Sequence, residues 1–383
     1  MGNDINQIKN LILIAESYIK KKNFKHAKKY YLKALDENSK TLNSSFIRSQ
    51  IMREIICISF ALKELDVAYA MLKEQFFSIN NVTEESKVKF FHDVGRILME
   101  QGNDNAQHFL HKALQIQKNH QSEKIVKILI DLALVEMYRG DFDEAKKRAN
   151  KAKTICKTIN LEFEFASSLN ILGLVNMKKG KFEKALFLFN QSLNIFKNLK
   201  KIPQVADTFD NLGILMRKQK QFKKSLTYHH IALCIRKKVN DEPALAKTYT
   251  NLGLAYKKIG KIDESLSWHS QSLVIREKFQ DKVGIANSLN NIGVVLTKKG
   301  ELNKSMRYFS KSLDIRKKIK DYPNAIKILQ NISYVHNKSG SKSRSLKILK
   351  EAEDMVENLP RSSAKIQRKS IMNFKEKITS VLN

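Results

Sequence analysis

Residues Asn251-Leu-Gly-Leu-Ala-Tyr-Lys-Lys-Ile-Gly260 recur forty positions later as Asn291-Ile-Gly-Val-Val-Leu-Thr-Lys-Lys-Gly300. The shared glycine extends the register in both directions, through Gly173 and Gly213 to Gly253 and Gly293, with Ala133 and Ser333 at the ends of the series. Seven residues after each small residue stands a second column, Gly140, Gly180, Lys220, Gly260, Gly300 and Gly340. Twelve after it stands a third, Ala145, Ala185, Ser225, Ser265, Ser305 and Ser345. Three columns holding one period over six units establish an internal repeat, which removes the usual reading of 383 residues as two or three closed domains.

Each unit reads as two amphipathic helices. The first carries apolar residues at helical spacing, as in Leu252, Leu254, Ala255 and Tyr256, and stops at a glycine able to take the left-handed conformation of a helix end. The second resumes within a few residues, from Ile262 to Ile275. Small side chains at Gly253 and Ser265 let the paired helices approach closely. Asp241, Asp281 and Asp321 precede the next helix, where a carboxylate caps free N–H groups, and Pro243 and Pro323 suit a first turn.

This pattern resembles the tetratricopeptide repeat in a 40-residue form. The residues that carry the resemblance are the two stretches quoted above with Ser265, Ser272, Ser305, Phe309 and Ser312. The long period and the Asn-Leu/Ile-Gly signature are most similar to kinesin light chain, Pins-type adaptors and tetratricopeptide segments of bacterial sensory proteins. Serine often replaces the second-helix alanine, and His229 and His269 stand where that family has an aromatic. The implied fold is an all-α, right-handed α-solenoid of about nine repeats. Residues 1–120 are degenerate repeats, marked by Ala27, Ala68 and Ala106 at steps close to forty, and residues 121–360 are the regular array. Residues 361–383 read as a capping helix, with Ile366, Ile371, Met372, Phe374, Ile378 and Val381 in a polar background.

Composition narrows the function classes. An apolar share of 42% is that of a folded chain, while only four prolines and 13 glycines disfavour turn-rich β architecture. Cys57, Cys156 and Cys234 are far apart with no zinc or disulfide spacing, which fits a reducing compartment. No window is apolar enough to span a membrane, and a cytoplasmic location is expected. Gly2 hints at myristoylation, but Asn6 stands where that signal wants Ser or Thr. The net charge of +32 calls for an acidic partner or reflects a lysine-rich composition. It is spread evenly, since residues 206–325 hold 24 basic and 11 acidic side chains. No phosphate loop, dinucleotide fingerprint, nucleophile elbow or ligand set for a metal is present, so neither an enzyme nor a cofactor is expected.

A stripe on the first helix steps by about 4, 3 and 4 residues. Taken through the asparagine before each small residue, it gives two ladders: Asn211, Asn251, Asn291 and Asn331, and Lys178, Lys218, Lys258, Lys298 and Lys338. Ile214, Leu254, Val294 and Tyr334 lie between them as apolar floor. An asparagine offers a donor and an acceptor, which match the backbone of an extended peptide. The family resemblance implies that role for these four, and lysine beside each favours acidic ligand side chains. The competing reading is that the asparagines brace neighbouring helices and the lysines merely end each first helix, where the dipole favours a cation.

Arg236, Arg276 and Arg316 form a further column, read as solvated helix-end charge. His229 and His269 are read as half-buried packing histidines with satisfied nitrogens, Trp268 as an edge residue, and His108 with His111 as too few for a metal. The expected function is a scaffold or adaptor binding an extended, acidic peptide of a protein partner. The alternatives are a peptide-signal receptor of the Rap type and docking on an acidic surface such as tubulin or nucleic acid. Against the Rap type stands the absence of a distinct N-terminal bundle in the sequence pattern. Oligomeric state is not legible.

Overall fold

A computed structural model describes residues 2–20, 23–41, 45–61, 71, 83–100, 105–117, 121–359 and 361–379. Ala68 and Val381, used above to place a repeat and the terminal helix, lie outside these residues. Every regular element among the described residues is an α-helix, and the chain is an all-α repeat solenoid of tandem helix pairs. It divides into two compact units, residues 1–195 and 196–383.

The first unit holds α1 (Gly2–Lys20), α2 (Phe24–Lys40), α3 (Ser45–Ala61), α4 (Glu84–Glu100), α5 (Ala106–Ile116), α6 (Glu123–Arg139), α7 (Phe142–Thr158), α8 (Glu162–Lys178) and most of α9 (Phe182–Asn198). Ala27 and Ala106, the second-helix markers of the degenerate repeats, are buried where α2 and α5 meet their neighbours. The second unit holds α10 (Ile202–Lys218), α11 (Phe222–Lys238), α12 (Glu242–Lys258), α13 (Ile262–Lys278), α14 (Lys282–Lys299), α15 (Leu302–Lys318), α16 (Tyr322–Lys338), α17 (Lys342–Val356) and α18 (Arg361–Thr379). Within the second unit, connections of two or three residues from α10 to α17 force consecutive helices to run antiparallel.

The local chemistry accounts for these boundaries. Asp241, Asp281 and Asp321 each accept a hydrogen bond from a backbone N–H three residues on, of Ala244 (3.3 Å), Gly284 (2.8 Å) and Asn324 (3.4 Å). Pro203, Pro243 and Pro323 occupy first turns, where the missing N–H costs nothing. The turn after each first helix takes a left-handed residue: Gly260 at φ 86° and Gly300 at φ 94°, but Lys220 at φ 60°. That conformation costs a side-chain-bearing residue about 1–2 kcal/mol. Lys220→Gly is therefore expected to stabilise the second unit by about 0.5–1 kcal/mol net of the added chain entropy, read as a higher urea midpoint with unchanged slope. An unchanged or lower midpoint would contradict this account.

The glycine column has a steric cause. A Cβ on Gly293 would sit 2.7 Å from Cε1 of Phe309, and one on Gly253 would sit 2.6 Å from Cε1 of His269. The second helix thus presses a ring flat against the backbone of the first. Phe189 and Phe309, wholly buried, fill this position in two repeats. His229 and His269, equally buried, fill it in the two between. At the end of the second unit Ala364, Ile371 and Ile378 of α18 join the core built by α16 and α17, while Ile366 and Met372 stay exposed.

Candidate functional site

The first helices of the second unit are α10, α12, α14 and α16, and the pairs α10–α12 and α14–α16 touch directly. Their shared face is where the expected ladders fall, and the structure divides those ladders by depth. Asn211 and Asn251 are buried to 7% exposure, Asn291 and Asn331 are half-buried, and Lys218, Lys258, Lys298 and Lys338 are exposed. Ile214, Leu254 and Val294 are half-buried and Tyr334 is half exposed, at 49%. Lys178 is exposed at the end of α8 in the first unit.

Five of these residues come together. Val294 and Lys298 of α14 and Asn331, Tyr334 and Lys338 of α16 line one cleft of about 310 Å³, with Thr297 and the buried ring of Phe309 at its base. Several of its polar groups already have protein partners. The Asn331 amide donates to Oδ1 of Asn290 at 2.9 Å. Lys298 donates to the carbonyl of Lys257 at 3.3 Å, and Lys338 to that of Thr297 at 3.1 Å, each reaching the last turn of the preceding first helix. Each of these carbonyls already accepts the N–H of the turn glycine, Gly260 or Gly300, so the lysines add a second hydrogen bond to last-turn carbonyls across the repeat boundary. An ammonium has three donors, so each keeps capacity for a ligand acceptor. Deeper in the row, Nδ2 of Asn251 has no hydrogen-bond partner among the described residues.

The electrostatics of this face are cationic. Burial lowers Lys257 from its ordinary value, and the neighbouring charges of Lys258, Arg217 and Lys298 lower it further. Burial also lowers Arg217. Burial leads at both groups, and the cations around Lys257 add a positive field that favours an anion nearby.

The arginine column is not solvated. Arg236 and Arg316 are 1% and 2% exposed, among the largest fully buried side chains of the chain. Arg236 joins three helices: it donates to Asp207 (2.6 Å) and Asp210 on α10, and to Thr248 and the Ala244 carbonyl (3.0 Å) on α12. Arg276 donates to the Gly284 carbonyl (2.7 Å) and to Ser288 (3.0 Å). Arg316 donates to Asn287 (2.6 Å), the Val283 carbonyl (3.2 Å) and Asp321. A guanidinium bearing five donors in a fork suits a junction where three helices leave carbonyls and carboxylates unpaired. Helix-end position alone gave the wrong reading; the signal was the fixed offset to Asp207 and Asn287, 29 residues upstream in each case.

The histidines also depart from expectation. Nδ1 of His229 lies 2.7 Å from Oδ1 of Asp210, both groups fully buried. A carboxylate only accepts, so Nδ1 carries the proton. Burial pushes the Asp210 carboxyl up, but the hydrogen bond from His229 and the charges of Arg236 and His229 outweigh it and hold the group below its ordinary value. His269 has no partner at either ring nitrogen among the described residues. Among the described residues no group of His, Cys, Asp and Glu is placed to hold a metal, and no helix is long and apolar enough to cross a membrane.

Comparison with known sequences and structures follows this architecture. One tetratricopeptide-repeat sequence model matches residues 204–278 and 284–358, and a second matches residues 8–41. No curated protein sequence matches the chain. Solved structures match along its length. A Rap protein complexed with competence and sporulation factor aligns at 17% identity with a TM-score of 0.62, covering 98% of this chain and 99% of that one. The Rap conjugation gene regulator of the plasmid pLS20, in complex with a Phr peptide, aligns at 16% and 0.61, covering 97% of each chain. A signal transduction ATPase with a tetratricopeptide repeat sensor, from Pyrococcus horikoshii, aligns at 14% and 0.57, covering 92% of this chain and 49% of that one. At such identities the likeness is one of fold.

Proposed function

Because the chain is a tetratricopeptide-repeat protein, we propose that it is a non-catalytic interaction adaptor whose first-helix face in the second unit holds an extended, acidic peptide of a partner protein. The observation that carries this reading is the cleft between α14 and α16, where an exposed tyrosine, an apolar floor and two lysines converge. Tyr334 supplies the large, rigid contact area typical of interface anchors. Lys298 and Lys338 attract carboxylates while remaining fixed by the carbonyls they donate to. Crowding of Lys257 by Lys258, Arg217 and Lys298 extends the same cationic field along α12.

Fluorescence anisotropy with a labelled, extended peptide carrying acidic residues around one aromatic tests it. Tyr334→Ala is expected to weaken binding about tenfold or more, the size of an anchor residue's loss, with helicity unchanged. Asn291→Ala is expected to weaken it less. Equal affinity in both variants and wild type would remove the groove assignment.

A second reading is favoured by the alignment to Rap proteins over nearly the whole of both chains, two of which are described in complex with competence and sporulation factor or a Phr peptide. In that reading the bound peptide is a signal and the array changes shape around it. Small-angle scattering separates the two: a radius of gyration unchanged by saturating peptide fits the adaptor, and contraction fits the receptor.

A further inference from the structure

The outer surface of α11 differs from that of α15. On α15 the exposed stripe reads Arg307, Lys311, Asp314 and Lys318. At the matching positions, eighty residues earlier, α11 has Thr227, Ile231, Cys234 and Lys238. The apolar stretch opens into a cleft of about 610 Å³, lined by Leu226, Ile231, Cys234 and Ile235 with His230 and with Tyr256 of α12. Its polar lining is quiet. His230 Nε2 meets the Tyr256 hydroxyl at 3.3 Å, and burial, with His229 nearby, holds His230 below the ordinary histidine value, so the ring is neutral at pH 7. Trp268, half-buried on α13, backs the cleft: it stacks on Tyr256 (6.4 Å between centroids) and meets His230 edge-on (6.2 Å).

Charge and length select what fits. The stripe begins at Lys223 and ends at Lys238, both exposed, and α11 has no acidic residue at all. At 1.5 Å per residue the two lysines bracket about 22 Å, roughly four helical turns. We propose that this face docks an amphipathic helix of a partner protein, with an apolar stripe about four turns long and acidic residues at both ends. A partner helix would lay its i, i+4, i+7 and i+11 side chains along Thr227, Ile231 and Cys234, and pair its terminal carboxylates with Lys223 and Lys238. The site is separate from the cleft between α14 and α16 and does not depend on it.

The test uses the full chain and a synthetic 16-residue helical peptide with leucines at i, i+4, i+7 and i+11 and two glutamates at each end. Trp268, the chain's only tryptophan, reports binding by its emission, and peptide anisotropy gives the affinity. The expected result is saturable binding that weakens at least tenfold with Ile231→Glu, with Cys234→Glu at the exposed position, and with a peptide whose end glutamates are lysines. Tyr334→Ala should leave it unchanged, and thermal melts should show each variant folded. Several results would overturn the proposal: no binding, equal affinity for lysine-ended or proline-interrupted peptides, loss with Tyr334→Ala, or indifference to both α11 substitutions. A wild-type dimer that Ile231→Glu renders monomeric in sedimentation would overturn it in favour of a second copy of the chain.

Discussion

Replacing Arg236 with methionine is expected to destabilise the second unit by about 3–5 kcal/mol, among the largest effects of any single substitution in the chain. The guanidinium is 1% exposed and answers two carboxylates, a hydroxyl and a carbonyl on two first helices. Methionine fills most of the volume, so the loss is electrostatic. Asp207 is 44% exposed and can turn to water, whereas Asp210 is wholly buried and would keep only His229 and Thr248. An anion stranded there is the main cost. The companion variant separates this cause from lost packing. At the position matching Asp210 the next three repeats have Thr250, Asn290 and Gln330, all neutral, although Arg276 and Arg316 persist. Asp210→Asn added to Arg236→Met should therefore recover at least about 1.5 kcal/mol, a coupling within the range of groups sharing one network. Urea unfolding followed by Trp268 emission measures both. A double variant as unstable as the single would mean that the Asp210 charge is not what Arg236 neutralises.

The repeat was legible because steric demands recur at fixed intervals. Gly253 and Gly293 are required where a ring presses on the helix backbone, and Gly260 and Gly300 where φ turns positive, so each leaves a column that spacing alone reveals. Caps at Asp241, Asp281 and Asp321 were legible for the same reason, since a carboxylate before a helix has one local use. Depth was not. A period of forty says which residues share a position but not whether neighbouring repeats close over it, and Arg236 and Arg316 lie beneath such a seam. The two ladders illustrate the limit. Their membership came from spacing, yet Asn331 bonds Asn290, and Lys298 and Lys338 bond carbonyls one repeat back, contacts that depend on how one pair of helices stacks on the next. The outer cleft of α11 was missed because the columns were read for what repeats, and its signal lies in what breaks the pattern: Ile231 and Cys234 where a later repeat has Lys311 and Asp314.

Acidification is expected to weaken the second unit through His269, whose buried ring is held down to about 3 by burial first and by the charges of Lys257 and Arg276 next. The unfolded chain binds a proton at this residue near pH 6.5 and the folded chain does not, so unfolding takes up protons and stability falls as pH drops. The contribution is complete above pH 6.5 and is lost progressively from there down through about pH 3. With one unit worth about 1.4 kcal/mol, the loss between pH 7 and pH 5 is about 2 kcal/mol. Phe309 holds the same position against Gly293 with nearly the same geometry, 2.7 Å against 2.6 Å for the pair Gly253 and His269. His269→Phe thus keeps the packing, removes two buried nitrogens that have no partner among the described residues, and abolishes the titration. It should raise stability at pH 7 by about 1–3 kcal/mol, the cost of leaving a buried polar group unsatisfied. It should raise stability further, by about 2 kcal/mol more, at pH 5. Every other ionisable group is common to the two proteins, so the difference between the two pH curves isolates His269. Curves that run parallel from pH 7 to pH 5 would mean that the ring finds a proton, or a route to water, that its burial denies it.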